Sequence, residues 1–178
     1  MRRYLASIAA GIALLASSAP SAAQQEGMPK HDCPVGPVAL PLELATWASP
    51  APIIAGTDPA KLAGATLTVG QAVDAALAHT SDIHYPFRPE QPGGSVSYGG
   101  IFAFTVAQAG TYRVAEGSGA WIDVVKDGKA IESTAHGHGP DCSTVRKMVD
   151  FPLEPGTYTL QIAANGQAQL PLIVTRVP

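Results

Sequence analysis

Between Gly99 and Ile162 apolar and polar positions alternate, and one phrase occurs twice. Phe104-Thr-Val-Ala-Gln-Ala-Gly110-Thr111-Tyr112-Arg-Val114 is the first copy, and Phe151-Pro-Leu-Glu-Pro-Gly156-Thr157-Tyr158-Thr-Leu160 is the second. Each has an alternating run, a short turn, Gly-Thr-Tyr and a second alternating run. Period-two alternation places successive side chains on opposite faces of an extended chain, so each copy predicts a half-buried antiparallel strand pair. Gly110 and Gly156 are expected in tight turns that deliver Tyr112 and Tyr158 into adjacent strands facing a shared core.

The alternation continues on both sides of the repeat. Phe102, Phe104 and Val106 share one face, as do Val149, Phe151 and Leu153, and Tyr158, Leu160 and Ile162. Trp121 to Val125 predicts a strand, Asp127-Gly128 a type I′ hairpin turn, and Lys129 to Ser133 the returning strand. Asn165-Gly166 predicts a second two-residue hairpin before Leu170, Leu172 and Val174. Turn signals about every ten residues between short strands indicate an all-β domain, which we read as an antiparallel, jelly-roll-like β-sandwich.

The pattern weakens toward the N-terminus. Leu62 to Leu77 fits a helical period through Val69, Ala72, Val73 and Ala76, and a strand period through Val73, Ala75 and Leu77. The β character downstream favours strands. Leu42 to Trp47 suits one helical turn ended by Pro50 and Pro52, with Trp47 as a core plug. Residues 24–41 carry Pro29, Pro34, Pro37 and Pro41, which forbid regular structure. The expected organisation is a signal peptide over 1–23, an extended Pro-rich arm over 24–60 and the sandwich over 61–178. Within the sandwich, Ser81 to Gly100 is a loop rich in Pro and Gly that also carries His84, Tyr85, Phe87, Arg88 and Tyr98. These aromatics either cap the core or bind a ligand.

Composition changes this picture in two places. Arg2 and Arg3, the apolar run Leu5 to Ala16 and the small residues Ser21-Ala22-Ala23 form a secretory signal, with cleavage expected after Ala23. Its loss takes Lys+Arg from 11 to 9 against 14 Asp+Glu, a net charge near −5 with His neutral. A mildly acidic chain without a Lys/Arg run does not suit nucleic acid or an anionic membrane, and no later stretch is long and apolar enough to span a bilayer. A periplasmic or secreted protein follows. In an oxidising compartment the two cysteines, Cys33 and Cys142, read as one disulfide, the alternative being two buried thiols.

Chemistry concentrates in His136-Gly-His138-Gly-Pro-Asp141-Cys142. Two residues apart on a strand, His136 and His138 face the same way and can grip one metal ion. Imidazole suits Cu, Zn or Fe, and Asp141 adds an oxygen. Cys142 adds a thiolate only if it is not oxidised, and Met148, His84 or His31 are candidates to complete the set. The alternative is a glycine loop with solvated histidines. Asp123 sits between apolar Ile122 and Val124: outward it is solvated, inward it needs a donor such as Arg146 or Lys147. No catalytic set is legible, since Ser95 and Ser97 lack a nucleophile elbow and no glycine loop opens a helix.

Ala109-Gly-Thr-Tyr-Arg-Val114, Trp121-Ile-Asp-Val-Val125, Leu153-Glu-Pro-Gly-Thr-Tyr158 and Leu170 to Val174 resemble the bacterial pre-peptidase C-terminal (PPC-like) β-sandwich modules over residues 99–178. The whole chain also resembles small secreted bacterial β-proteins. These resemblances imply a non-enzymatic binding or accessory domain whose partner is an envelope protein, a polymer or a metal ion. His136-x-His138 also resembles the opening ligand pair of cupin barrels, among them the homogentisate 1,2-dioxygenase family, which implies as alternative a small metal-dependent oxygenase. No Glu follows His138 within a few residues, and no histidine follows Pro155-Gly156-Thr157-Tyr158.

Overall fold

The computed structural model describes Cys33, Val35, Gly36 and residues 38–178. The expected signal peptide and most of the segment before residue 38 lie outside them. Among the described residues twelve strands follow in order. They are β1 (Ala51–Ile54), β2 (Thr66–Leu67), β3 (Val73–Ala76), β4 (Ala78–His79), β5 (Tyr98–Val106), β6 (Gly110–Glu116), β7 (Trp121–Lys126), β8 (Lys129–Ala130), β9 (Ala135–Gly137), β10 (Lys147–Leu153), β11 (Gly156–Asn165) and β12 (Gln169–Arg176). They form two six-stranded sheets. One has the order β1-β3-β12-β6-β10-β9; the other is β2-β5-β11-β7-β8, with β4 also on β5. The protein is an all-β sandwich. Its long pairs are antiparallel; the short pairs β1 with β3 and β2 with β5 are parallel.

The repeated phrase does not make two hairpins. β5 and β6 lie in opposite sheets, and so do β10 and β11. Each copy crosses from one layer to the other, and its strands pair with those of the other copy. Phe104 faces Tyr158 across β5 and β11, and Phe151 faces Tyr112 across β10 and β6. Val106 opposite Gly156 and Leu153 opposite Gly110 complete the correspondence. Both tyrosines reach one shared core, as expected, but from opposite sheets rather than from adjacent strands. Each hydroxyl donates to the carbonyl four residues upstream at 2.8 Å, Tyr112 to Gln108 and Tyr158 to Glu154. A buried phenol needs such a partner, and this bond pins the corner where the chain changes sheet.

Asp127-Gly128 is the hairpin expected, with φ of 51° and 74° as type I′ requires. Asn165-Gly166 is not. β11 and β12 belong to different sheets, and the positive φ falls on Ala164 (57°). Asn165 is buried and donates from Nδ2 to the Gln167 carbonyl at 2.7 Å, a local bond that turns the chain between layers. A dipeptide signal cannot tell a hairpin from an inter-sheet corner when both need a tight bend.

Residues 62–77 yield strands, β2 and β3. The sandwich also takes in residues before the boundary expected at 61, because β1 forms the edge of one sheet beside β3. Pro52 is tolerated there because an edge strand has one side without partners. Ahead of β1, Leu42–Ala48 forms a 3-10 turn that covers the outer face of the same sheet. Its Leu44 and Trp47 pack on Ala72, Ala115, Val145 and Ile173 in a second apolar cluster. Trp47 Nε1 donates to Thr144 Oγ1 at 2.8 Å. Arg113 ties the turn down, with paired bonds to Asp150 (2.8 and 2.9 Å) and one to Glu43 (3.2 Å). A disulfide joins Cys33 to Cys142, with Cα atoms 5.4 Å apart.

The segment 80–97 does the same for the outer face of the other sheet. Tyr85 Oη donates to the Ile162 carbonyl at 2.9 Å, and burial pushes this phenol up to about 12. Gln161, fully buried on β11, accepts from the Phe87 amide at 3.0 Å and donates to the Phe87 carbonyl at 3.1 Å. These two bonds imitate a strand pair and hold a loop over a sheet.

Candidate binding cleft

Among the described residues, the sandwich is left open along one side. β8 pairs with only the last two residues of β7, after which Ile131 donates to the Val124 carbonyl and the chain departs for β9 in the other sheet. Among the described residues, the first half of β7, Trp121–Asp123, therefore has β11 on one edge and no strand on the other. Facing it are β9 and the start of β10. The gap between them is a cleft of about 380 Å³. Ile122, Ile131, Val149 and Phe151 form its apolar floor, at the margin of the main core. Glu90, Trp121, Asp123, Ser133, His136 and Lys147 form its polar rim.

Alternation explains how these groups arrive. In β10, Lys147 has the parity of Val149 and Phe151, so it points between the sheets. Its ammonium donates to the Ala120 carbonyl at 2.6 Å and lies 5.7 Å from the centre of the Trp121 ring. That leaves two of its three protons for a ligand. Asp123 has the opposite parity to Ile122 and Val124, yet it is only 8% exposed because the 80–97 segment covers it. Its donors are Trp121 Nε1 at 3.0 Å and Gln161 Nε2 at 3.3 Å, not the Arg146 or Lys147 the sequence suggested. Burial raises its carboxyl above the usual range. The bonds from Trp121 and Gln161 oppose the shift, the Glu90 charge adds to it, and Lys147 opposes it.

Directly across from Lys147 on the inward face of β6 is Glu116. It is 0% exposed, and neither carboxylate oxygen has a hydrogen-bond partner among the described residues. Burial pushes its pKa from 4.5 up to about 8; Lys147 and the Ala120 amide pull the other way. That amide is directed at Ser118 Oγ, 3.1 Å away. Burial without a partner thus favours the neutral form of this acid.

The His136–Cys142 stretch is divided among separate sites. β9 ends at Gly137, so the two-residue rule stops applying before His138. His136 lines the cleft and a smaller hollow beside Arg113 and Asp150. His138 lies within 3.2 Å of the Arg146 carbonyl through Nδ1, and with Asp141 it lines a different cavity of about 400 Å³. Cys142 is oxidised and offers no thiolate. Among the described residues no group of three His, Cys, Asp or Glu side chains is placed to hold a metal ion.

Sequence reasoning singled out His136 and Asp123 but left Lys147 only as a conditional partner, and missed Glu90, Ser133 and Glu116 as members of one neighbourhood. Nothing local marks them. A Glu at the inward parity of a predicted strand, seven residues before an aspartate of opposite parity, was the one signal in the chain. No helix among the described residues is long and apolar enough to cross a membrane. Neither a protein-family model nor a curated protein matches this chain.

Proposed function

We propose that the protein is an exported binding or accessory module that engages its ligand in the cleft between β7 and β10. The observation that carries this reading is the convergence there of two carboxyls, an ammonium, an imidazole, a hydroxyl and an indole above an apolar floor. Ligand sites have this composition, apolar walls with a few placed polar groups, and comparable volume. Export is supported by the basic pair, apolar run and small-residue site at the N-terminus, and by the Cys33–Cys142 bond, of a kind found mostly in oxidising compartments. A rigid double sheet holding irregular segments at an open side suits binding, as in other sandwiches whose loops carry function.

The test is amide chemical-shift mapping of the mature, oxidised protein against mixed small molecules covering sugars, amines, carboxylates and short peptides. Shifts are expected to cluster at 121–123, 131–136 and 147–151. Clustering at the His138–Arg146 cavity, or no cluster at all, overturns the reading.

A further inference from the structure

We infer that the cleft takes a neutral, polyhydroxylated ring, one sugar residue of a glycan, an assignment that rests on the cleft being the binding site. Three features select this chemistry over others. The first is charge balance. Glu90 and Asp123 stand with Lys147 around one opening, so neither an anion nor a cation meets a field of one sign.

The second is hydrogen-bonding capacity. Among the described residues no internal hydrogen bond occupies the side chains of Glu90, Ser133 or His136, and Lys147 has two protons to spare. Each Asp123 oxygen accepts one bond and can accept another. Such a rim offers both acceptors and donors. A hydroxyl offers one proton and two lone pairs at a single atom, so a ring of hydroxyls can satisfy both kinds of partner at once. A simple amine or carboxylate can satisfy only one.

The third feature is the floor. Ile122, Ile131, Val149 and Phe151 cannot bond a polar ligand, but they suit the C–H face of a sugar ring. The indole of Trp121, half-buried with its N–H fixed on Asp123, adds a rigid apolar wall that loses little freedom on binding. A volume of about 380 Å³ leaves room for one or two rings.

The experiment is calorimetric titration of the mature protein, disulfide intact, with cellobiose, maltose and chitobiose. Spermidine, citrate and tetra-alanine serve as cationic, anionic and peptide probes. One or more neutral disaccharides are expected to bind with millimolar affinity, at least fivefold more weakly in Glu90→Ala and in Asp123→Asn. The His138→Ala variant, altered in the other cavity, is expected to match wild type. Glu90 is exposed and bears on the result even if Asp123→Asn fails to fold. Should a charged or peptide probe bind through Glu90 while no disaccharide does, the sugar assignment falls and the cleft reading stands. Disaccharide binding that ignores both substitutions overturns the assignment as well. If no probe responds to either substitution, assignment and cleft reading fall together.

Discussion

Replacing Glu116 by Gln should stabilise the protein increasingly as pH rises. The side chain is 0% exposed and without a hydrogen bond among the described residues, and its pKa stands at about 8 in place of 4.5. Between these two values the unfolded chain has released the proton that the folded chain still holds. Stability then falls as pH increases, by 1.36 kcal/mol per unit for one proton, and levels off above the folded pKa. From 4.5 to pH 7 the loss is about 3 kcal/mol, and across the whole interval about 5 kcal/mol. Gln keeps the shape and the unmet polar atoms but cannot ionise, so the difference between variant and wild type isolates this proton. Asp123, whose carboxyl is also raised, is present in both proteins and cancels. Urea unfolding at pH 5 and pH 7 measures the difference. With a slope near 2 kcal/mol per molar, the variant's midpoint should exceed wild type by a few tenths of a molar at pH 5 and by about 1.5 M at pH 7. A pH-independent difference would show that Glu116 already ionises freely in the folded protein, and that its burial is relieved by some movement of β6 or Lys147.

Other perturbations follow from the same geometry. Reducing the disulfide, or the double change Cys33→Ser/Cys142→Ser, opens a loop with a sequence separation of 109 and should cost up to about 4–5 kcal/mol in urea unfolding; a cost below about 1 kcal/mol would contradict a stabilising role for this loop closure. Gly110→Ala should be nearly silent in thermal melts, since its added methyl meets only the mobile tip of Arg176. Gly99→Ala should lower the melting temperature by several degrees or more, because its methyl would collide with the Tyr85 hydroxyl and the Ile162 carbonyl; equal melting of the two would refute the packing of the 80–97 segment on β5. Cu(II) titration of wild type and of His136→Ala/His138→Ala should show no affinity above that of an exposed single histidine, and tighter wild-type binding by tenfold would mean that the two rings converge. N-terminal sequencing of protein from the periplasmic fraction should begin near Gln24, and an intact Met1 on soluble cytoplasmic protein would remove the export reading.

How much of this was legible in the chain can be seen at particular residues. The strands were, because burial on one face imposes a period of two that Phe102, Phe104 and Val106 or Tyr158, Leu160 and Ile162 carry openly. The sheet each strand joins was not. A Gly-Thr-Tyr corner reads alike whether the chain folds back beside itself or steps to the facing layer, and only pairing of Phe104 with Tyr158 and Phe151 with Tyr112 distinguishes them. The disulfide was legible as a count of two in an expected oxidising compartment. The site was legible only in fragments. His136 and Asp123 stood out by type, but the cleft exists because β8 leaves β7 after two residues, and that departure depends on contacts distant in sequence. His138 illustrates the converse. Its spacing from His136 suggested a shared face, and the strand ended one residue too soon.

The most direct test of the binding account is a crystal structure of the oxidised protein grown with a disaccharide that calorimetry finds to bind. The account expects one sugar ring between β7 and β10, its C–H face toward Ile122 and Val149 and its hydroxyls within hydrogen-bond reach of Asp123, Glu90 or Lys147. An ordered sugar elsewhere on the surface, with the cleft holding only water at saturating ligand, would contradict it.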